Sequence, residues 1–181
     1  MRIISGKFKG RRINAPKDLP ARPTKDFAKE ALFNIINNNY HINELSVLDL
    51  YAGIGSISFE FASRGAPIII SVDQHYKSIV FIEKIAKEFE MPIQTIKSDV
   101  FKFLEKTNQR HDIIFADPPY EYSNEQFDKI VSLIFTNNLL NDDGTLIIEH
   151  SKRTDLSGLS NFSYAKKYGN SMFSFFLINE D

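Results

Sequence analysis

The sequence predicts an α/β protein in which a mostly parallel sheet is covered by helices on both faces, and three observations carry that reading. Short apolar runs recur along the chain, segments of helical periodicity separate them, and turn-forming residues follow the runs at their carboxyl ends. Apolar runs without strict alternation suit strands that are buried on both faces. In such sheets ligands bind outside the carboxyl ends of the strands, so the residues after each run are the ones to read for chemistry.

At the amino end, Arg2–Ser5 and Arg11–Asn14 are β-compatible pieces around the turn-like Gly6-Lys7-Phe8-Lys9-Gly10, and Pro16 and Pro20 end any regular element. They predict a small basic β-hairpin over residues 1–20, extending one domain that spans 1–181. From Asp26 to Asn38 the residues Phe27, Ala31, Leu32, Ile35 and Ile36 keep helical spacing, with Asp26 favouring the helix N-terminus. The predicted strands are Val47–Leu50, Ile68–Val72, Ile93–Ile96, Asp112–Ala116 and Thr145–Glu149. Helical patterns fall between them at Ser56–Ser63, at Ile79, Ile82, Ala86 and Phe89, and at Phe127, Ile130, Val131 and Ile134. The alternation then breaks, because Phe162–Tyr168, Gly169-Asn170 and Met172–Ile178 read as an antiparallel hairpin with no helix between its strands.

Composition removes whole classes of chemistry. With no cysteine there is no disulfide, Cys-ligated zinc, iron–sulfur cluster or thiolate nucleophile. The histidines, His41, His75, His111 and His150, have no metal-ligand spacing, so no metal is expected. No apolar stretch approaches a membrane span and the first residues are too basic for a signal peptide, which predicts a cytoplasmic protein without a membrane partner. The net charge of −1 hides an asymmetry. Residues 1–25 carry eight Lys/Arg against Asp18 alone, so a segment of +7 faces a remainder of −8. A dense basic segment on an acidic protein suits phosphate contacts, although a solvated charged face has the same composition.

The first predicted strand runs into Tyr51-Ala52-Gly53-Ile54-Gly55-Ser56, where the next helix opens. Glycines permit a tight turn and close approach of a ligand, and the helix N-terminus offers unpaired N–H groups. The third glycine of a dinucleotide fingerprint would fall at Ser58, so this is GxG only, and alone it is equally a tight turn. The second strand ends at Asp73, 20 residues after Gly53, a spacing that suits a ribose-binding acid. Asp99, after the third strand, is a further carboxylate at this edge and also a helix N-cap candidate for Val100–Lys106.

Asp117-Pro118-Pro119-Tyr120 follows the fourth strand directly. Two prolines fix the backbone and remove donors, leaving carbonyls to accept. The Asp117 carboxylate and the Pro118 carbonyl can each accept one N–H of an exocyclic amine while Tyr120 stacks on its ring. Holding both hydrogens draws the nitrogen lone pair out of the ring and toward the tetrahedral geometry needed for attack.

The set DLYAGIGS, Asp73, Asp99 and DPPY resembles the seven-stranded S-adenosylmethionine-dependent methyltransferases of exocyclic amines. The opening MRIISGKFKGRRI, Arg22-Pro23-Thr24-Lys25-Asp26 with Glu30-Ala31-Leu32-Phe33-Asn34, Ser63-Arg64-Gly65-Ala66 and Glu149-His150-Ser151 are similar to the bacterial 16S ribosomal RNA (guanine-N2) methyltransferase family. The resemblance covers nearly the whole chain. It implies a Rossmann-like seven-stranded methyltransferase sheet and a monomer acting on 16S ribosomal RNA or the small subunit. It further implies that Asp49, Tyr51, Gly53, Gly55, Asp73, Asp99 and Val100 bind S-adenosylmethionine, and that Asp117, Pro118, Pro119 and Tyr120 are catalytic. It places Arg22 and Thr24 near the cleft, to meet the RNA, while the charge of the basic segment predicts that Arg11 and Arg12 contact RNA phosphates. Phe27-Ala28-Lys29 departs from the arginine-rich segment usual in the family. Two alternatives stay open: methylation of adenine N6 in DNA or RNA, and a non-catalytic RNA-binding assembly factor.

Overall fold

The computed structural model describes residues 1–19 and 25–178. Its sheet contains β1 (Ser46–Leu50), β2 (Ile68–Asp73), β3 (Ile93–Lys97), β4 (His111–Ala116), β5 (Leu140–Ser151), β6 (Phe162–Tyr168) and β7 (Ser171–Leu177). The helices are α1 (Asp26–Asn39), α2 (Ser56–Ser63), α3 (Tyr76–Glu88), α4 (Val100–Leu104) and α5 (Asn124–Thr136). This seven-stranded sheet has the order β3-β2-β1-β4-β5-β7-β6, with β1 to β5 parallel and β7 antiparallel to both neighbours. The expected Rossmann-like methyltransferase sheet, with helices on both faces and a terminal antiparallel hairpin, is present.

Strand parity divides the core. Val47, Ile69, Ile113, Phe115 and Ile147 face one apolar cluster with Leu32, Phe33, Phe59 and Ile82 from α1, α2 and α3. Leu48, Leu50, Ile70, Ile114 and Ile148 face the other, with Leu104 from α4 and Phe127, Ile130 and Ile134 from α5. Successive side chains of a strand point to opposite faces, so a strand buried on both sides must be apolar at every position. That is why the runs read as unbroken.

From β1 the chain crosses to β2 on one side, whereas from β3 it returns to β4 on the other. The order of strands therefore reverses between β1 and β4, and a crevice opens at their carboxyl ends. The Asp117 N–H donates to the Leu50 carbonyl at 3.4 Å, tying the two strand exits together.

The expected amino-terminal hairpin is present, closed by the antiparallel bridge Arg2↔Arg12 and by backbone hydrogen bonds from the Ile3 N–H to the Arg11 carbonyl, the Gly10 N–H to the Ile3 carbonyl and the Ile13 N–H to the Met1 carbonyl. Its remaining donors seat it on α2. The carboxylate of Glu60 in α2 accepts the N–H groups of Ile4 and Ser5 at 2.9 and 3.0 Å, and Ser63 Oγ accepts that of Phe8. Gly6 has φ +85°, and a Cβ there would sit 1.9 Å from the Ser63 carbonyl oxygen, so the chain can cross α2 at this point only as glycine. Ile3 and Ile13 are buried in the cluster beneath. Phe27, whose spacing predicts a core position, is exposed; the buried stripe of α1 is Ala28, Lys29, Leu32, Phe33 and Ile36.

Candidate active site

The loop after β1 turns through three left-handed residues, Tyr51, Gly53 and Gly55, before α2 begins at Ser56. At Gly55 a Cβ would meet Ile82 Cγ1 and Phe59 Cε2, both at 2.9 Å, so glycine keeps the loop tight against α2 and α3. Asp73 fastens the other side. Its Oδ2 accepts the Gly53 N–H at 2.8 Å and its Oδ1 accepts the His75 N–H at 2.8 Å. A carboxylate has about four acceptor positions, so both oxygens retain capacity for two hydroxyls of a ligand.

Asp99 caps α4, with Oδ1 accepting the Lys102 N–H at 3.0 Å, which leaves its second oxygen for an incoming donor. Val100, the first helical residue, is buried beside it. The Tyr51 ring meets Tyr122 edge-on at 5.9 Å, and Tyr122 stacks on Phe101 of α4. The buried Tyr51 hydroxyl has no hydrogen-bond partner among the described residues, a debt a polar ligand in the crevice can settle. Burial raises its pKa and keeps it protonated.

Asp49 is turned inward. Its Oδ2 accepts both the Ser58 N–H, at 3.1 Å, and the Ser58 hydroxyl, so it anchors the first turn of α2. Burial pushes its carboxyl up to about 7, the Ser58 hydrogen bonds oppose this, and the charge of Asp73 adds to it.

Parity brings the acids of three adjacent strands to one side. Asp49 is two residues past Val47, Asp117 two past Phe115 and Glu149 two past Ile147, so all project toward the α1–α2–α3 face. Because Phe115 pairs with Ile147, Asp117 continues the strand beside Glu149. Burial holds the Asp117 carboxyl well above the usual range, and the charges of Glu149 and then Asp49 raise it further. All three effects disfavour the charged form of Asp117, and a cation beside it would favour that form.

Pro118 is buried, whereas Pro119 and Tyr120 are exposed. The Tyr120 hydroxyl lies 3.4 Å from Ser171 Oγ, next to the turn between β6 and β7. His150, beside Glu149, donates from Nδ1 to the Ser151 carbonyl at 3.0 Å, and its Nε2 pairs with the Ser174 hydroxyl at 2.7 Å. Burial lowers its pKa, so the ring stays neutral and structural.

Of the residues implied to meet RNA, Arg22 and Thr24 lie outside the described residues. Arg11 stacks over Phe89 with its guanidinium 4.9 Å from the ring, at the C-cap of α3. The helix of 13 residues before it is about 20 Å long, which sets Arg11 far from the crevice. Arg12 is exposed on the hairpin bridge.

Two functional supports have no sequence signal beyond an ordinary helical charge. Lys29 and Glu60 are almost fully buried, 3.6 Å apart, and Lys29 Nζ also donates to the Arg2 carbonyl at 2.7 Å and Ser56 Oγ at 3.2 Å. Arg64 completes the cluster at 2.9 Å from Glu60. This network locks the amino-terminal segment and α1 to the start of α2. Lys29 belongs to the segment that departs from the family pattern, and it is a core residue. Among the described residues no group of acidic or histidine side chains could hold a metal, and no helix is long and apolar enough to cross a membrane.

Comparison with known proteins agrees with this architecture. A family model described as Conserved hypothetical protein 95 matches residues 1–177. Ribosomal RNA small subunit methyltransferase D of Buchnera aphidicola is 32% identical over 150 residues, covering 82% of this chain and 75% of that protein. The solved structure of yhhF from Escherichia coli superposes with a TM-score of 0.85 at 26% identity, covering 97% of this chain and 96% of that one. Magnesium protoporphyrin IX methyltransferase from Synechocystis, solved with bound SAM, shares the fold at a TM-score of 0.63 and 18% identity, over 81% of this chain and 76% of that one.

Proposed function

From the premise that the chain belongs to the Conserved hypothetical protein 95 family, among whose relatives are ribosomal RNA methyltransferases, we propose that it methylates the exocyclic N2 amine of a guanine in 16S ribosomal RNA. S-adenosylmethionine is the donor, and when bound it supplies a methyl group already activated by a sulfonium charge. The observation that carries the reading is the alignment of Asp117 with Glu149 and Asp49 on one face, directly beside the β1 loop.

Each residue then has a task. Asp73 accepts from the ribose hydroxyls while holding Gly53, and the second oxygen of Asp99 accepts from the adenine amine. Gly53 and Gly55 let the loop close on the methionine end, where Asp49 contributes charge from beneath. Asp117 and the Pro118 carbonyl accept the two hydrogens of the guanine amine, and Tyr120 stacks on the base. Asp117 matters most as the nitrogen becomes positive, because a fixed negative group is worth more to the transition state than to the neutral amine. Proximity supplies much of the remaining rate. The guanine must leave its stack to reach the pocket.

The reading is tested by incubating the protein with labelled S-adenosylmethionine and unmodified small subunits, naked 16S RNA or DNA, then identifying the product nucleoside by mass spectrometry. N2-methylguanosine in the RNA is expected. Label in N6-methyladenosine, or none in any nucleic acid, contradicts it.

A further inference from the structure

The first turn of α1 presents an unburied aromatic ring at the rim of the cleft. Phe27 is 70% exposed, although the neighbouring Ala28 and Lys29 are buried. Its ring meets Tyr168 edge-on, with centroids 6.2 Å apart and planes at 72°. Tyr168 ends β6 and pairs with Ser171, whose hydroxyl lies beside that of Tyr120. Tyr164 and Tyr168 both pack on the α1–α2–α3 side of the sheet, the side toward which Asp117 and Glu149 project. Phe27, Tyr168 and Tyr120 thus run as a line of aromatic groups from α1 to the target pocket.

Cations border this line. Lys166 on β6, which shares the parity of Tyr164 and Tyr168, and Lys152 and Arg153 after β5 are exposed and enter no ion pair among the described residues. The Lys152 N–H donates to the Asn170 carbonyl, so the segment after β5 lies against the turn between β6 and β7. An edge strand alone accounts for exposed lysines, which discourage pairing with other chains. It does not account for an exposed phenylalanine whose orientation is held by a second ring.

We propose that Phe27 is a stacking platform for an unpaired base adjacent to the target guanine, with Lys152, Arg153 and Lys166 contacting the neighbouring phosphates. The inference rests on the RNA reading above and extends it to the flanking nucleotide. Extruding a guanine deprives its neighbour of a stacking partner, and an aromatic face at the pocket rim replaces it. Such a platform tolerates any base, because every base has a π-face.

The test uses the full chain saturated with S-adenosylhomocysteine and two single-stranded RNA oligonucleotides carrying one guanine. One has ordinary bases beside the guanine and the other has abasic sites there. Phe27→Ala is expected to weaken binding of the first by about 5- to 150-fold, the worth of one base–aromatic stack, and to leave the second within about twofold. Phe27→Trp should restore the first. Replacing Lys152 and Lys166 by alanine should weaken both oligonucleotides and reduce the salt slope by roughly one per lost contact. Equal losses on both oligonucleotides with Phe27→Ala, or no loss on either, overturn the platform while RNA binding stands. Failure of the parent protein to bind either oligonucleotide overturns the platform, whereas the RNA reading stands or falls on the product nucleoside.

Discussion

Gly53 and Asp73 are joined by a hydrogen bond of 2.8 Å from the backbone N–H of one to Oδ2 of the other, across the gap between the β1 loop and the end of β2. The acid that is to hold the ribose therefore also sets the loop that is to hold the methionine end. Asp73→Ala should lower affinity for S-adenosylmethionine by about 10- to 150-fold, from the loss of charge-assisted hydrogen bonds of roughly 1.5–3 kcal/mol. Asp73→Asn should lose less, since one acceptor oxygen remains. Titration calorimetry measures both, and an affinity unchanged in the alanine variant would remove Asp73 from the site.

Glu60 should be the most sensitive position outside the crevice. Glu60→Ala leaves Lys29 buried without its carboxylate and the N–H groups of Ile4 and Ser5 without their acceptor. Breaking a buried pair from one side costs about 3–5 kcal/mol. Urea denaturation should show a loss of that size, and limited proteolysis should cut the amino-terminal segment first. Lys29→Met should lose less, because Arg64 still neutralises Glu60. A Glu60→Ala protein as stable as the parent would show that α2 holds the segment by other means.

The pH response follows from Asp49. Its pKa is raised from 3.8 to about 7 in the folded protein, so the folded state binds this proton more tightly than the unfolded chain does. Stability from this group is complete below about pH 4 and is lost as the pH rises through 7, and Asp49→Asn should flatten that decline. Burial and the Glu149 charge raise Asp117 as well, so a cationic cofactor bound beside these carboxyls should release protons as it binds. Calorimetry of S-adenosylmethionine binding in buffers of different ionisation enthalpy reads this directly. Binding with no net proton release would contradict the acidic pocket.

Much of this arrangement is legible in the sequence because it is local. Gly53, Asp73, Asp99 and Asp117 each follow an apolar run, and in a parallel sheet that position alone puts them at one edge. Ser56–Ser63 is recognisable because its periodicity and the glycines before it agree. Non-local features are hidden. Glu149 joins Asp117 only through the register of β4 with β5, which no spacing in the chain reveals. Lys29 and Glu60 look like solvated helix charges until two helices and the amino-terminal segment close over them. Phe27 satisfies helical spacing yet lies outside the buried stripe of Ala28, Lys29, Leu32, Phe33 and Ile36, because periodicity reports a face of α1 and not what packs against it. The seat of the hairpin on α2 is hidden for the same reason, since its acceptors Glu60 and Ser63 are more than 50 residues away in sequence.

Asp117 is proposed to activate the target amine, and single-turnover methylation at saturating RNA and S-adenosylmethionine isolates that role from binding. Asp117→Ala should methylate about 10²–10³-fold more slowly with RNA and cofactor affinities nearly unchanged, as for loss of one preorganised polar group in a transition state. Asp117→Asn should fall between alanine and the parent, and the parent's rate should rise with pH as this carboxyl, held high by burial and Glu149, ionises. Tyr120→Phe should be mild and Tyr120→Ala severe if the ring stacks on the base. An Asp117→Ala protein that methylates at the parent's rate contradicts the account.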